Sequence, residues 1–174
     1  MMQNHFQLFN LPQRFALDAA ALDAAYHEVQ NQTHPDRFAH AGAAEKRVAM
    51  QWATRANEAY QTLKHPLSRA AYLCELNGVD LQTESNTAMP GAFLMQQMEW
   101  REALDDALAA GDAAALERLE RAIRDAWRAE AAATGALLDN GDFDAAAQGV
   151  RRLMFLDKFG RDVAAAFERL ADQE

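Results

Sequence analysis

The breaks in this chain constrain its fold more than its apolar runs do. Long stretches of Ala, Leu, Gln, Glu and Arg are interrupted at few places. These are Thr33-His34-Pro35-Asp36, His65-Pro66, Gly78, Gly111 and the turn Asp139-Asn140-Gly141-Asp142. Only eight Gly and four Pro occur in 174 residues, and strand-type runs rich in Val, Ile and Thr are missing. Segments of that kind between such breaks form helices, so the class is all-α.

The breaks set the helix boundaries. Asp18 suits the N-cap of a helix with apolar positions Leu22, Tyr26 and Val29, spaced i, i+4, i+7. Pro35 disfavours helical geometry at His34 and ends that helix, leaving His-Pro-Asp in a loop. A second helix is expected from Ala43 to Lys64, with Ala49, Trp52, Ala56, Tyr60 and Leu63 on one stripe. Pro66 suits the first position of the next helix, which ends at Gly78. The two helices around His-Pro-Asp should pair as an antiparallel hairpin. Residues 79–89, "VDLQTESNTAM", are polar and lack helical periodicity, and so read as a linker between modules 1–78 and 90–174.

Three helical stretches follow: Pro90 to about Ala110, a second from Asp112 through Leu116, Leu119, Ile123, Trp127, Ala131, Thr134 and Leu138, and a third from Phe143 nearly to the end. Short connections imply antiparallel neighbours and a three-helix bundle. On the third helix Phe143, Ala147, Val150 and Met154 form the expected core stripe, with Phe155 off it. Trp52, Trp100 and Trp127 all fall on helical stripes and are expected in the core.

Charge narrows the function classes. The net charge is -9, yet residues through Gly78 carry seven basic and seven acidic side chains. From Val79 onward there are ten basic and nineteen acidic, so the whole excess lies in the second half. That half repels phosphate backbones, so no nucleic-acid partner is expected. No stretch approaches the roughly 18 consecutive apolar residues of a membrane span, and the start lacks the basic and apolar regions of a secretory signal. A lone Cys74 cannot form an internal disulfide and fits a reducing, cytoplasmic setting.

Enzyme signals are thin. There is no phosphate-cradling glycine loop, paired-cysteine motif or HExxH. A metal site would need more ligands than His34, His40 and Asp36, and a His34–Asp36 pair has no nucleophile beside it. No cofactor, metal or catalytic residue is therefore expected. Cys74 reads as a small core residue.

His-Pro-Asp in a loop between two amphipathic helices near the start of an all-α module resembles the J-domain, whose signature is this tripeptide in this loop. The resemblance implies that His34, Pro35 and Asp36, helped by Arg37, contact a DnaK-type chaperone and stimulate its ATP hydrolysis. Proline fixes the local backbone, and Asp36 can offer a carboxylate to a partner's arginine. The chemistry then belongs to the partner. Two departures stand out. J-domains usually carry cations on the helix before the tripeptide, yet none occurs between Arg14 and Arg37, leaving Arg37, Lys46 and Arg47. The position before the histidine, often tyrosine, is Thr33.

Beyond the tripeptide, "FQLFNLP", "HPDRF", "LKHPLSRAAYL", "AFLMQQMEWREALDD" and "VRRLMFLDKF" are similar to the HscB co-chaperones of iron–sulfur cluster assembly, in family order along nearly the whole chain. This resemblance implies an L-shaped protein, a J-domain arm plus a three-helix bundle. The bundle would bind an IscU-type cluster scaffold and deliver it to an HscA-type chaperone.

The helix from Pro90 carries a hint of that surface in its own pattern. On a wheel of about 100° per residue with Leu94 at zero, Phe93, Trp100, Leu104 and Leu108 fall between about 240° and 320°. Leu94, Met95 and Met98 fall in a second sector, between about 0° and 100°, adjoined by Glu99, Glu102 and Asp106. A single-faced helix needs only the first sector, and flexible apolar side chains mixed with acids suit recognition. The positions matching the family's scaffold-binding patch are Leu94, Met95, Met98, Glu99, Glu102, Asp106 and Phe155.

Overall fold

The structure, a computed structural model, describes residues 2–81 and 89–172. Seven α-helices follow in order, α1 (His5–Leu8), α2 (Ala19–Thr33), α3 (Ala43–Lys64), α4 (Pro66–Leu76), α5 (Gly91–Ala110), α6 (Ala113–Asp139) and α7 (Phe143–Ala171). No strand occurs among the described residues. Most of the inferred linker, residues 82–88, lies outside the described residues.

Local chemistry accounts for the boundaries. The Asp18 carboxylate accepts the Ala20 and Ala21 N–H groups and starts α2. Pro66 is a first-turn residue of α4, whose end is a Schellman motif. There the Gly78 N–H donates to the Glu75 carbonyl and the Val79 N–H to the Cys74 carbonyl, with Gly78 at φ 76°. Asp112 caps α6 by accepting the Ala115 N–H.

α2 and α3 zip together along one seam. The Tyr26 and Tyr60 rings stack with centroids 4.1 Å apart. Each hydroxyl reaches across the hairpin, Tyr60 donating to Asp23 at 2.7 Å and Tyr26 to Asn57 at 3.1 Å. Beneath them lie Leu22, Ala56, Ala59 and Leu63, joined by Phe6 and Phe9 from the start of the chain. Helix α1 was not foreseen from periodicity, being a single turn, yet Phe6 is fully buried.

One sequence expectation needs correction here. Trp52 is 40% exposed, standing at the edge of the hairpin beside Val29, Gln32 and Thr33 of α2. As expected, His-Pro-Asp lies in the connection between α2 and α3, where it opens a 3-10 turn, Pro35–Phe38.

The N-terminal core does not stop at Gly78. It continues into Leu138, Ala146, Ala147 and Val150, at the hairpin end of α6 and α7. Further contacts join the arms at Asp139 and Gly135. Asp139 accepts the Phe15 and Ala16 N–H groups at 2.6 and 3.1 Å and lies 3.8 Å from Arg14. A Cβ on Gly135 would overlap the Phe15 ring, so only glycine lets that ring seat against α6. Within the N-terminal arm, the Arg69 guanidinium lies over the Phe15 ring, 4.7 Å from its centroid. A second core, around Leu104, Leu116, Ile123, Phe159 and Val163, lies farther along the bundle where α5 packs on α6 and α7.

Candidate functional site

The first candidate site is the tip of the α2–α3 hairpin. Pro35 supplies the fixed φ of the 3-10 turn's first position. His34 precedes it in extended geometry, and its Nδ1 accepts the Asp36 N–H at 3.2 Å. The same nitrogen lies 3.6 Å from the Asp36 carboxylate, whose side chain is 91% exposed while that of His34 is 58% exposed. Asp36 is therefore held from behind and open in front. Arg37 folds back, one guanidinium nitrogen donating to the Asn31 carbonyl at 3.4 Å, where the last turn of α2 leaves an acceptor free. Thr33 likewise turns inward, its hydroxyl donating to the Val29 carbonyl at 2.8 Å. The turn brings His34, Pro35 and Asp36 together, and spends Arg37 on closing the helix end.

The second candidate site lies on α5. Leu94, Met95 and Met98 are 46%, 64% and 71% exposed. Glu99, Glu102 and Asp106 are exposed on the adjoining turns, and Glu99 accepts a hydrogen bond from Gln96 at 3.2 Å. Leu104 and Ala107 are buried, with Trp100 and Leu108 packed beside them, so α5 has the two faces that its pattern suggested.

Phe155 behaves differently from the sequence expectation. It is half-buried and faces α5, meeting Phe93 edge-on at 5.6 Å and lying parallel to Trp100 at 6.4 Å and Phe159 at 5.7 Å. Arg101 covers the stack, 5.7 Å from the Phe155 centroid. Met154, expected in the core, is 40% exposed instead, whereas Leu153 and Leu156 are buried. α7 changes partners along its 29 residues, from the N-terminal core at Ala147 and Val150 to the second core at Leu156 and Phe159, so a stripe extrapolated from Phe143 misses the core by one position. Phe155 is thus partly open at the surface and packed on Phe93, Trp100 and Phe159, on the inner side of α5.

Trp100 and Trp127 are half-buried and pack on the second core. Cys74 is fully buried, and burial pushes its thiol above the usual range, with Arg151 nearby opposing this, so the protonated, unreactive form prevails. Arg151, which periodicity alone would place on the surface, is buried and donates to the Asp80 carbonyl at 3.3 Å. No signal in the sequence marks it. No helix among the described residues is long and apolar enough to cross a membrane.

Comparison with known proteins places these features in a family. The family model of the HSCB C-terminal oligomerisation domain matches residues 89–164. A co-chaperone protein HscB homolog from Burkholderia multivorans is 59% identical over 170 residues, spanning 98% of this chain and 97% of that protein. Among solved structures, chaperone HscB from Vibrio cholerae superimposes with a TM-score of 0.85 at 36% identity, over 97% of this chain and 99% of that one. The human co-chaperone protein HscB gives a TM-score of 0.87 at 26% identity, over 94% of this chain and 82% of that one.

Proposed function

This chain belongs to the HscB family of J-domain co-chaperones, and we propose that it stimulates the ATPase of an HscA/DnaK-type chaperone and delivers an IscU-type iron–sulfur scaffold to it. It supports maturation of iron–sulfur proteins in the cytoplasm without catalysing a reaction itself. In this reading residues 1–78 form the J-domain and residues 90–174 the scaffold-binding bundle, joined by residues 79–89.

The observation that carries the trigger half is the display of Asp36 at the hairpin apex, with its carboxylate exposed and its N–H held by His34. A carboxylate fixed on a turn loses little further freedom on pairing with a partner's arginine, so most of the gain in interaction is kept. Replacing His34 releases the Asp36 backbone, and replacing Asp36 removes the charge. Arg37 contributes indirectly, by closing α2 and fixing the angle of the turn.

The scaffold half rests on Leu94, Met95 and Met98, beside Glu99, Glu102 and Asp106. Methionine adapts its shape at small energetic cost, and neighbouring acids favour a partner with basic side chains at the rim.

The test is steady-state ATP hydrolysis by the chaperone with His34→Gln or Asp36→Asn, alongside a thermal melt. Stimulation should disappear while stability shifts by only about 0.5 kcal/mol, as expected for exposed turn residues. Full stimulation by either folded variant would remove the trigger assignment.

A further inference from the structure

The bundle has a second open face. A groove of about 330 Å³ runs between α6 and α7, with Ile123 and Gly160 in its floor. Among the described residues its walls come from α6 and α7 alone, so it lies apart from the α5 patch. The half-buried ring of Trp127 stands at its rim.

Gly160 keeps this groove open. A glycine inside a helix costs stability relative to alanine, so its place within the 29 residues of α7 needs a reason. The other glycines within α6 and α7 have one inside the chain. A Cβ at Gly135 would meet the Phe15 ring, and one at Gly149 would meet the Thr134 side chain. A Cβ at Gly160 would meet nothing nearer than Ile123 Cγ2 at 3.9 Å, an ordinary contact. The bare backbone serves something that approaches from outside.

The rim indicates what approaches. Glu120 and Arg124 pair at 3.5 Å along the α6 wall, and Asp157 and Arg161 at 3.2 Å along the α7 wall. The two helices run antiparallel, and Ile123 beside Gly160 marks their common level. On the side away from the hairpin turn, Glu120 is three residues from that level and Arg161 one. On the side toward the turn, Asp157 is three residues away and Arg124 one. Each wall therefore carries the same pattern in the opposite direction. A second copy turned over about the groove axis lays α6 on α7, so that Glu120 of each copy meets Arg161 of the other and Arg124 meets Asp157. The rim is also locally neutral, in a half of the chain that carries ten basic and nineteen acidic side chains. A basic partner finds more charge at the α5 acids, whereas a second copy finds its own complement here.

We infer that this face is an isologous docking surface for a second copy of the chain, centred on Gly160. Trp127 of each copy covers the groove of the other, and the rim pairs set the register. The α5 patch has no part in the contact and stays free in both copies.

Sedimentation of the full chain should show monomer passing to dimer between about 5 and about 200 µM. Gly160→Ala should melt higher than wild type at about 1 µM, where both are monomeric, yet dimerise roughly tenfold more weakly. A packing role inside the chain does not move fold and association in opposite directions. Reversing the α6 pair, with Glu120→Arg and Arg124→Glu, keeps net charge and the i,i+4 pairing but sets like charges against α7 of the other copy. Dimerisation should then fall about tenfold. Reversing the α7 pair as well, with Asp157→Arg and Arg161→Asp, should restore it.

A wild type that stays monomeric at about 200 µM overturns the inference. Wild-type dimerisation by folded Gly160→Ala, or by the reversed α6 pair, does so too, and assigns the contact to another face. A lower melting temperature for Gly160→Ala would return the glycine to packing within the bundle and remove the inference as well. If wild type is monomeric and Gly160→Ala instead weakens scaffold binding in calorimetry, the groove belongs to the scaffold.

Discussion

The hairpin tip and the α5 face are both open to a partner, but they are built on opposite principles. At the tip, short polar side chains ride on a backbone held locally, by Pro35, by the His34 Nδ1 contact to the Asp36 N–H and by Arg37 on the Asn31 carbonyl. On α5 the exposed groups are long and apolar, and their placement depends on rings underneath: Phe93, Trp100, Phe155 and Phe159 form a stack capped by Arg101. The difference has a consequence for mutagenesis. Tip substitutions should separate function from stability cleanly, whereas on α5 the separation holds only for residues above the stack.

The largest effect that sharpens this contrast is expected from Leu94→Ala combined with Met98→Ala. Both side chains are exposed in the free protein, so folding should be nearly unaffected. Buried against a scaffold, the pair should be worth about 3 kcal/mol, on the order of a hundredfold in affinity by titration calorimetry. Scaffold-independent stimulation of the chaperone's ATPase should persist. Unchanged affinity in the folded double variant would show that the α5 face is not the scaffold site.

Phe155→Ala tests the ring stack. Its ring is half-buried between α5 and α7, so truncation should cost about 2 kcal/mol of stability in denaturant unfolding, below the range for fully buried rings. Scaffold binding would weaken as a secondary result of a loosened α5. If stability stayed at the wild-type level while binding fell, Phe155 would belong to the open surface, and the distinction between patch and ring stack would break down.

These two α5 residues and Phe155 also show what the sequence could and could not disclose. Leu94 and Met98 were legible as a second face because α5 spans 20 residues and its wheel drifts little. Helix ends at Asp18, Pro66, Gly78 and Gly111 were legible because capping acts within a few residues. Phe155 and Met154 were not, since α7 packs first on the N-terminal core and then on α5 and α6, and the change of partner turns a different face inward. Trp52 failed for another reason. Its stripe is correct, but burial depends on how fully the neighbouring helix covers the ring, and Val29, Gln32 and Thr33 border Trp52 without enclosing it. The joint between the arms lies farther still from any local signal, because Asp139 and Phe15 are 124 positions apart in sequence. The tripeptide itself was read correctly as a helix break, while its 3-10 geometry depends on packing across α3 that no propensity records.

The smallest effect concerns the acids beside the patch and asks whether they steer a partner or bind it. Glu102 is exposed, one turn beyond Met98 and clear of the ring stack. An exposed carboxylate keeps most of its hydration in a complex, so its contribution to the bound state is small and screened by salt. It does act over the distances at which two proteins first meet, together with Glu99 and Asp106. Glu102→Ala should therefore slow scaffold association about two- to threefold at low salt and leave dissociation nearly unchanged. At about 0.5 M salt, where the Debye length is only several ångströms, wild type and variant should associate at the same rate. Stability should shift by no more than about 0.5 kcal/mol. Stopped-flow association at several salt concentrations reads both rates directly. A variant that dissociates much faster, with association intact, would place Glu102 inside the desolvated contact. The α5 surface would then resemble the tip after all, with a carboxylate rather than apolar side chains as its anchor.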